Sequence, residues 1–240
     1  MLAIVKSMSL TGLEGYLISV QVDVSSGIPC FDIVGLPDTC LRESKERVQT
    51  AIKNSGVQLL SKKIIVNLAP ASTKKEGSIF DVPIAVGVLI ATNYIKSKNL
   101  GQILNDTIFI GELSLDGNVN RISGVLPICI EAKKMGIKHI ILPEENAKEA
   151  SVVDGIEILP VSHLTEILAY LNDNMLLKFN NKPIQTKKKQ SNIDFSEVKG
   201  QENVKRALEI AAAGGHNCLL IRISRSRKNN DCRAPSNYFT

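Results

Sequence analysis

Six cations within about twenty residues, Arg42, Lys45, Arg47, Lys53, Lys62 and Lys63, are the first residues whose type and spacing suggest a ligand. Gathered on one surface they could hold a polyanion such as DNA. Glu43 and Glu46 interleave with them, which is also the pattern of a solvated helix face. Asp81 could act as an acid or base, but it stands just before an apolar run, where a helix N-cap belongs. Glu112 and Asp116 are spaced like a strand residue and its turn, so no metal reading is needed. His139 and His163 fall at element starts, a structural position. The five cysteines (Cys30, Cys40, Cys129, Cys218 and Cys232) are scattered and never form C-x-x-C. This excludes a disulfide framework or zinc site and fits a reducing cytoplasm. No metal site is expected.

The net charge of +5 does not strengthen the polyanion reading. Residues 222–240 hold five cations against Asp231 and so carry +4 of it, leaving the rest nearly neutral. With 44% hydrophobic and 22% charged residues over 240 positions, the chain reads as one large domain or one domain and part of another. It contains no apolar run of about eighteen residues to span a membrane. Met1–Lys6 shows no secretory n-region, so no signal peptide and no membrane partner are expected.

The elements that must position these residues alternate in type. Tyr16–Ser25 alternates apolar and polar, the period of a half-buried strand. Cys30–Leu36 resumes after Gly27 and Pro29, as in a hairpin or meander. Asp38 or Thr39 can cap a helix in which Leu41, Val48, Ala51 and Ile52 share a face and Glu43 and Arg47 pair at i,i+4. Lys63–Leu68 is a strand. A helix from Asp81 to Ile95 is apolar nearly all round and so predicts burial on several sides. Ile108–Leu115 reads as a strand turning at Asp116-Gly117 into Asn118–Ile122. A helix over Gly124–Met135 follows, then strands at His139–Leu142 and Glu157–Pro160, a short helix between them, and a closing helix at Leu164–Leu171. This is a mixed α/β pattern. Residues 173–193, with the run Lys187–Lys189, read as a linker. A helix over Gly200–Ala213 and a strand-like Cys218–Ile221 then begin a second unit.

Several stretches together resemble one family: Gly35–Asp38, Asn67–Ala71, Lys75–Ala85, Gly111–Gly117, Gly200-Gln201 and Gly214–Asn217. They are similar, in order and from residue 1 to about 221, to the YifB/ComM family of magnesium-chelatase-like AAA+ ATPases. The resemblance implies a Lon-protease-like α/β domain with a mixed sheet over 1–172, the linker 173–193, and an incomplete AAA+ P-loop module opening at 194–221. It implies ATP and Mg²⁺ as cofactors, a homo-hexamer, and DNA as partner, with branch migration by a helicase in natural transformation and recombination. Val198, Gly200 and Gln201, near His216-Asn217, would lie on the adenine side of the nucleotide.

The same resemblance calls for a Walker A loop after Ile221, where glycines let backbone N–H groups wrap phosphates and a Lys reaches the β/γ-phosphates. Here residues 222–230 read RISRSRKNN, and no glycine follows Gly215. Back-translated with permitted codons and read one nucleotide later, residues 222–240 spell GSPGAGKTMIAERLPTIL, which contains an intact Walker A loop. Residues 222–240 are therefore expected to be an out-of-frame tail. The chain as written is expected to be truncated before its ATP site, to hydrolyse no ATP and to have no catalytic residue of its own.

A Lon-like domain also raises a peptidase reading, in which Ser attacks with a Lys as base. Alignment to that pattern puts Asp81 or a neighbour at the nucleophile and Leu126 at the base, and neither can serve. Ser78 with Lys74 or Lys75 is the nearest substitute. The alternative function is a stand-alone Lon-like module that binds DNA or a protein partner.

Overall fold

The computed structural model describes residues 2–12, 14–59, 62–73, 75–172, 195 and 198–221. The expected linker 173–193 and tail 222–240 lie outside them. The chain divides into two compact units, Met1–Ile184 and Gln185–Thr240.

In the first unit, strands β1 (Leu2–Thr11) and β2 (Glu14–Ser25) form an antiparallel hairpin with Ile4 opposite Gln21. Along β2, Ile18, Val20, Val22 and Val24 are buried while Gln21 and Asp23 lie on the other face, the alternation the sequence predicts. Strand β3 (Cys30–Val34) does not continue this meander. It runs parallel to β4 (Lys63–Ala69), which pairs antiparallel with β2, giving the order β1-β2-β4-β3. Parallel neighbours need a crossover, and α1 (Thr39–Asn54) supplies it. Asp38 caps α1 by accepting from the Leu41 N–H at 2.7 Å.

Helix α2 (Asp81–Ala91) is buried at every position, as its apolar composition predicts. It lies so close to β2 that a Cβ on Gly87 would sit 2.5 Å from Val22 Cγ2. It ends four residues before the expected Ile95, and Asn93 follows with a left-handed φ of 65° that turns the chain away. The unanticipated α3 (Leu100–Asp106) buries no residue fully.

The expected strand over 108–115 is two elements. β5 (Thr107–Phe109) joins a parallel sheet with β8 (His139–Pro143) and β9 (Glu157–Val161), while β6 (Glu112–Leu113) forms a hairpin with β7 (Val119–Asn120). Gly111 separates them: its φ is 155°, and a Cβ there would meet Val82 Cγ2 at 2.8 Å. Helix α4 (Val125–Lys134) and the short α5 (Ala147–Ala150) cover this second sheet, and α6 (Leu164–Leu171) packs into the first core. The result is the mixed α/β architecture expected of a Lon-like domain.

In the second unit, α7 (Glu202–Gly214) packs Leu208 and Val204 against Phe195. The strand-like Cys218–Ile221 forms no strand. Leu219 and Ile221 are exposed.

Candidate functional site

The family-like stretches of the first unit converge on the loop between β4 and α2. Asp38 holds that loop to α1, since the carboxylate that caps α1 through Oδ1 accepts the Gly77 N–H at 3.0 Å through Oδ2. Two backbone bonds add to the clip, Asp38 N–H to Lys75 C=O at 3.1 Å and Lys75 N–H to Leu36 C=O at 3.2 Å. The Lys75 side chain is fully buried, and its Nζ donates to the carbonyls of Thr73, at 2.7 Å, and Pro70. Burial pulls its pKa below the usual lysine value.

Asp81 is not the N-cap of α2. Phe80 occupies that place, and the Asp81 side chain turns into the interior. Arg47 donates to it from Nε at 2.8 Å and from Nη2 at 3.2 Å, and Leu113 N–H donates at 3.2 Å. Arg47 therefore pairs with Asp81 rather than Glu43, and its Nη2 also reaches Ser44 Oγ at 2.8 Å. Burial pushes the Asp81 carboxyl up, against the downward pull of Arg47 and Ser44. The Asp81 carboxylate in turn holds the Arg47 guanidinium above its ordinary value.

Ser78 donates its hydroxyl to Glu112 Oε2, and Asn120 donates to Glu112 Oε1 at 3.4 Å. Ser78 and Glu112 border a cleft of about 690 Å³ that also takes in Ser9, Gly12, Gly77 and Arg121. Among the described residues, Ser78 and Lys75 do not form the Ser–Lys pair that peptide cleavage needs. The Ser78 hydroxyl donates to the Glu112 carboxylate, and the Lys75 amine faces main-chain carbonyls. Lys74 lies outside the described residues. Leu126 offers only an aliphatic side chain, and its N–H donates to Glu149 at 3.3 Å.

The other chemistry-bearing residues are structural. His163 caps α6 and bonds Thr165 Oγ1 at 2.8 Å and Asp116 C=O at 3.0 Å. His139 pairs with Glu157 at 3.2 Å. The Asp116 carboxylate accepts the Asn118 N–H at 3.1 Å, which holds it below the usual carboxylate range. Burial pushes the Cys129 thiol up to about 12, so it stays protonated and inert. Among the described residues no group of three His, Cys, Asp or Glu could hold a metal ion, and no helix is long and apolar enough to cross a membrane. Of the six cations, Arg47 is engaged by Asp81, while Lys45, Lys53 and Lys62 line a second groove that sequence spacing alone did not reveal.

In the second unit Val198 is buried, with its N–H on Phe195 C=O at 3.1 Å. Gly200 and Gln201 take left-handed φ of 77° and 59° and lead into α7, which Gln201 precedes as N-cap. His216 N–H closes the far end on Ala211 C=O at 2.8 Å.

Residues 20–146 match the family described as Subunit ChlI of Mg-chelatase, and residues 194–229 match Magnesium chelatase, subunit ChlI. The Escherichia coli (strain K12) protein named Uncharacterized protein YifB is 39% identical over 220 residues, covering 92% of this chain and 42% of that protein. Competence protein ComM of Haemophilus influenzae is 35% identical over 224 residues, 92% of this chain and 43% of its own. Lon protease of Mycolicibacterium smegmatis is 21% identical over 173 residues, 68% of this chain and 21% of the protease. The chain thus spans about two fifths of the length of its YifB and ComM relatives. With the ChlI match covering more than half of its residues, the chain belongs to the Mg-chelatase subunit ChlI family, together with YifB and ComM.

Proposed function

We propose that this chain is the N-terminal part of a YifB/ComM-type ATPase that acts on DNA, and that its Lon-like unit is a scaffold rather than a peptidase. The observation that carries the reading is the ion pair at Asp81. The resemblance puts Asp81 or a neighbour where a Lon-type enzyme would hold its nucleophile, and Asp81 is a buried carboxylate under a two-point contact from Arg47. A group so engaged attacks nothing. The chemistry is then left to the ATPase module that Val198, Gly200 and Gln201 open, on the adenine side of the nucleotide. The complete protein is a cytoplasmic hexameric ring that uses ATP and Mg²⁺ to migrate DNA branches.

The residues present do not fit ATP and Mg²⁺. Residues 217–221 are exposed and form no strand, and no glycine that could shape a phosphate cradle follows them in sequence. We therefore assign residues 222–240 to a reading frame shifted by one nucleotide, and no ATP hydrolysis to the chain as written. Residues 1–172 are the Lon-like domain, 173–193 the tether and 194–221 the opening of the motor.

The test is to resequence the gene across codons 215–240, correct one nucleotide at codons 221–222, and measure ATP hydrolysis with and without branched DNA. The corrected protein is expected to hydrolyse ATP faster with DNA, and the present chain not to bind it. Tight ATP binding by the present chain, or a corrected protein indifferent to DNA, would overturn the reading.

A further inference from the structure

Helix α1 turns Leu41, Ser44, Val48, Ala51 and Ile52 inward. Lys45, Gln49 and Lys53, spaced i, i+4 and i+8, form a stripe that runs along one side of a groove of about 650 Å³. The other side comes from Gln58 and Lys62, ahead of β4, and apolar surface is supplied by Phe31, Leu59 and Ile64. It shares no lining residue with the cleft at Ser78.

The charge in this groove is lopsided. Three lysines face it against one acid, Glu46, whose carboxylate lies 3.7 Å from Lys45 Nζ. Neither Lys53 nor Lys62 has an ion-pair partner among the described residues. Arg47, which i,i+4 spacing pairs with Glu43, is withdrawn from this surface by Asp81. Lys45 and Lys53 stand about 12 Å apart along the helix axis, at 1.5 Å of rise per residue. That is long enough to meet more than one phosphate at once, since along one strand of a duplex phosphates are about 3.4 Å of axis apart. Ammonium groups in excess of the one nearby carboxylate, set in a concave, partly apolar wall, concentrate field on a polyanion.

We propose that this groove docks the phosphodiester backbone of a nucleic-acid strand, with Lys45, Lys53 and Lys62 as the phosphate contacts and the Gln49 and Gln58 amides beside them. The proposal rests on the reading of the chain as part of a DNA-acting machine and names the surface on the Lon-like unit that would meet the DNA. Contacts of this kind position a strand without reading its sequence.

The test uses the full chain and a fluorescein-labelled oligodeoxynucleotide of mixed sequence, titrated by anisotropy over a range of salt. Two triple variants are compared with wild type: Lys45→Ala/Lys53→Ala/Lys62→Ala in the groove, and Lys96→Ala/Lys98→Ala/Lys148→Ala on exposed sites elsewhere. Both remove three charges and leave the basic tail untouched, so their difference isolates the groove. The groove variant is expected to lose about tenfold or more in affinity, and its salt slope to become shallower by about 2, at roughly 0.7 per phosphate contact on a single strand. The control variant should stay close to wild type. Equal losses in the two variants, or none in the groove variant while wild type binds, would overturn the groove and leave the DNA reading standing. No binding by wild type would sink the groove, while DNA-stimulated hydrolysis by the frame-corrected protein separately decides the fate of the motor reading. Full displacement by inorganic tripolyphosphate at equal phosphate concentration would reassign the groove to small polyphosphates.

Discussion

Arg47 and Asp81, 34 residues apart in sequence, close a two-point ion pair between α1 and α2, with Nε 2.8 Å from Oδ2 and Nη2 3.2 Å from Oδ1. The carboxylate is completely buried, while the guanidinium keeps one edge toward solvent. The pair joins α1 to the first residue of α2. A third bond, from Leu113 N–H, ties β6 to Asp81 Oδ2.

Removing one partner should therefore hurt more than removing both. Arg47→Ala leaves a buried charge uncompensated and is expected to cost about 3–5 kcal/mol. Arg47→Met/Asp81→Leu should recover a good part of that. Guanidinium unfolding followed by far-UV circular dichroism reads both. A loss below about 1 kcal/mol in the single variant would mean that the buried pair is not a strong restraint.

Lys75 gives the fold a pH dependence at the alkaline end. Its pKa is lowered in the folded chain by desolvation. Between that lowered value and the ordinary lysine value, the unfolded chain holds more protons than the folded one. Stability should thus climb as pH rises through this window, and burial of the charged amine should weigh against the fold below it. Lys75→Met removes the slope and leaves the Pro70 and Thr73 carbonyls without their donor, at about 1–3 kcal/mol. Urea midpoints from about pH 8 to about pH 11 should diverge, with wild type gaining on the variant.

Gly87 tests how closely α2 lies on the sheet. A Cβ there would meet Val22 Cγ2 at 2.5 Å, so Gly87→Ala should destabilise by about 1–3 kcal/mol despite its better helix propensity. Gly87→Ala/Val22→Ala should fall short of the sum of the two single losses, because the second change makes room for the first. Simple additivity in thermal melts would refute that contact.

Ser78 should matter for stability and not for cleavage. Ser78→Ala removes a hydrogen bond to the Glu112 carboxylate and is expected to cost about 1.5–3 kcal/mol. Fluorogenic casein should be cut no faster by wild type than by the variant. Cleavage that Ser78→Ala abolishes would restore the peptidase reading.

Much of this was legible from local pattern. The alternation of β2, the all-apolar α2, the Asp38 cap and the Asp116-Gly117 turn each depend on neighbours within a few residues. What escaped depends on distant partners. Alternation identifies β3 as a strand but says nothing of β4 lying beside it. The i,i+4 rule pairs Arg47 with Glu43 only if no stronger partner arrives, and Asp81 arrives from 34 residues away. Asp81 has the sequence position of a cap, yet burial beside Arg47 outweighs that local option. Helix α3 lacks a fully buried stripe and so left no periodic signal. The convergence of Lys45, Lys53 and Lys62 needed the path of the chain from α1 to β4.

The strand order β1-β2-β4-β3 has a consequence for how the chain is made. The β1–β2 hairpin can close as soon as residue 25 is available. β3 is synthesised next, but its hydrogen-bond neighbour, Lys63–Ala69, is complete only about two to seven seconds later at about 5–20 residues per second. In that interval a growing chain presents the unpaired edges of both β2 and β3. Whatever shields a nascent polypeptide has to do so until β4 slots between them, and codon changes that slow translation over residues 35–62 would lengthen the exposure.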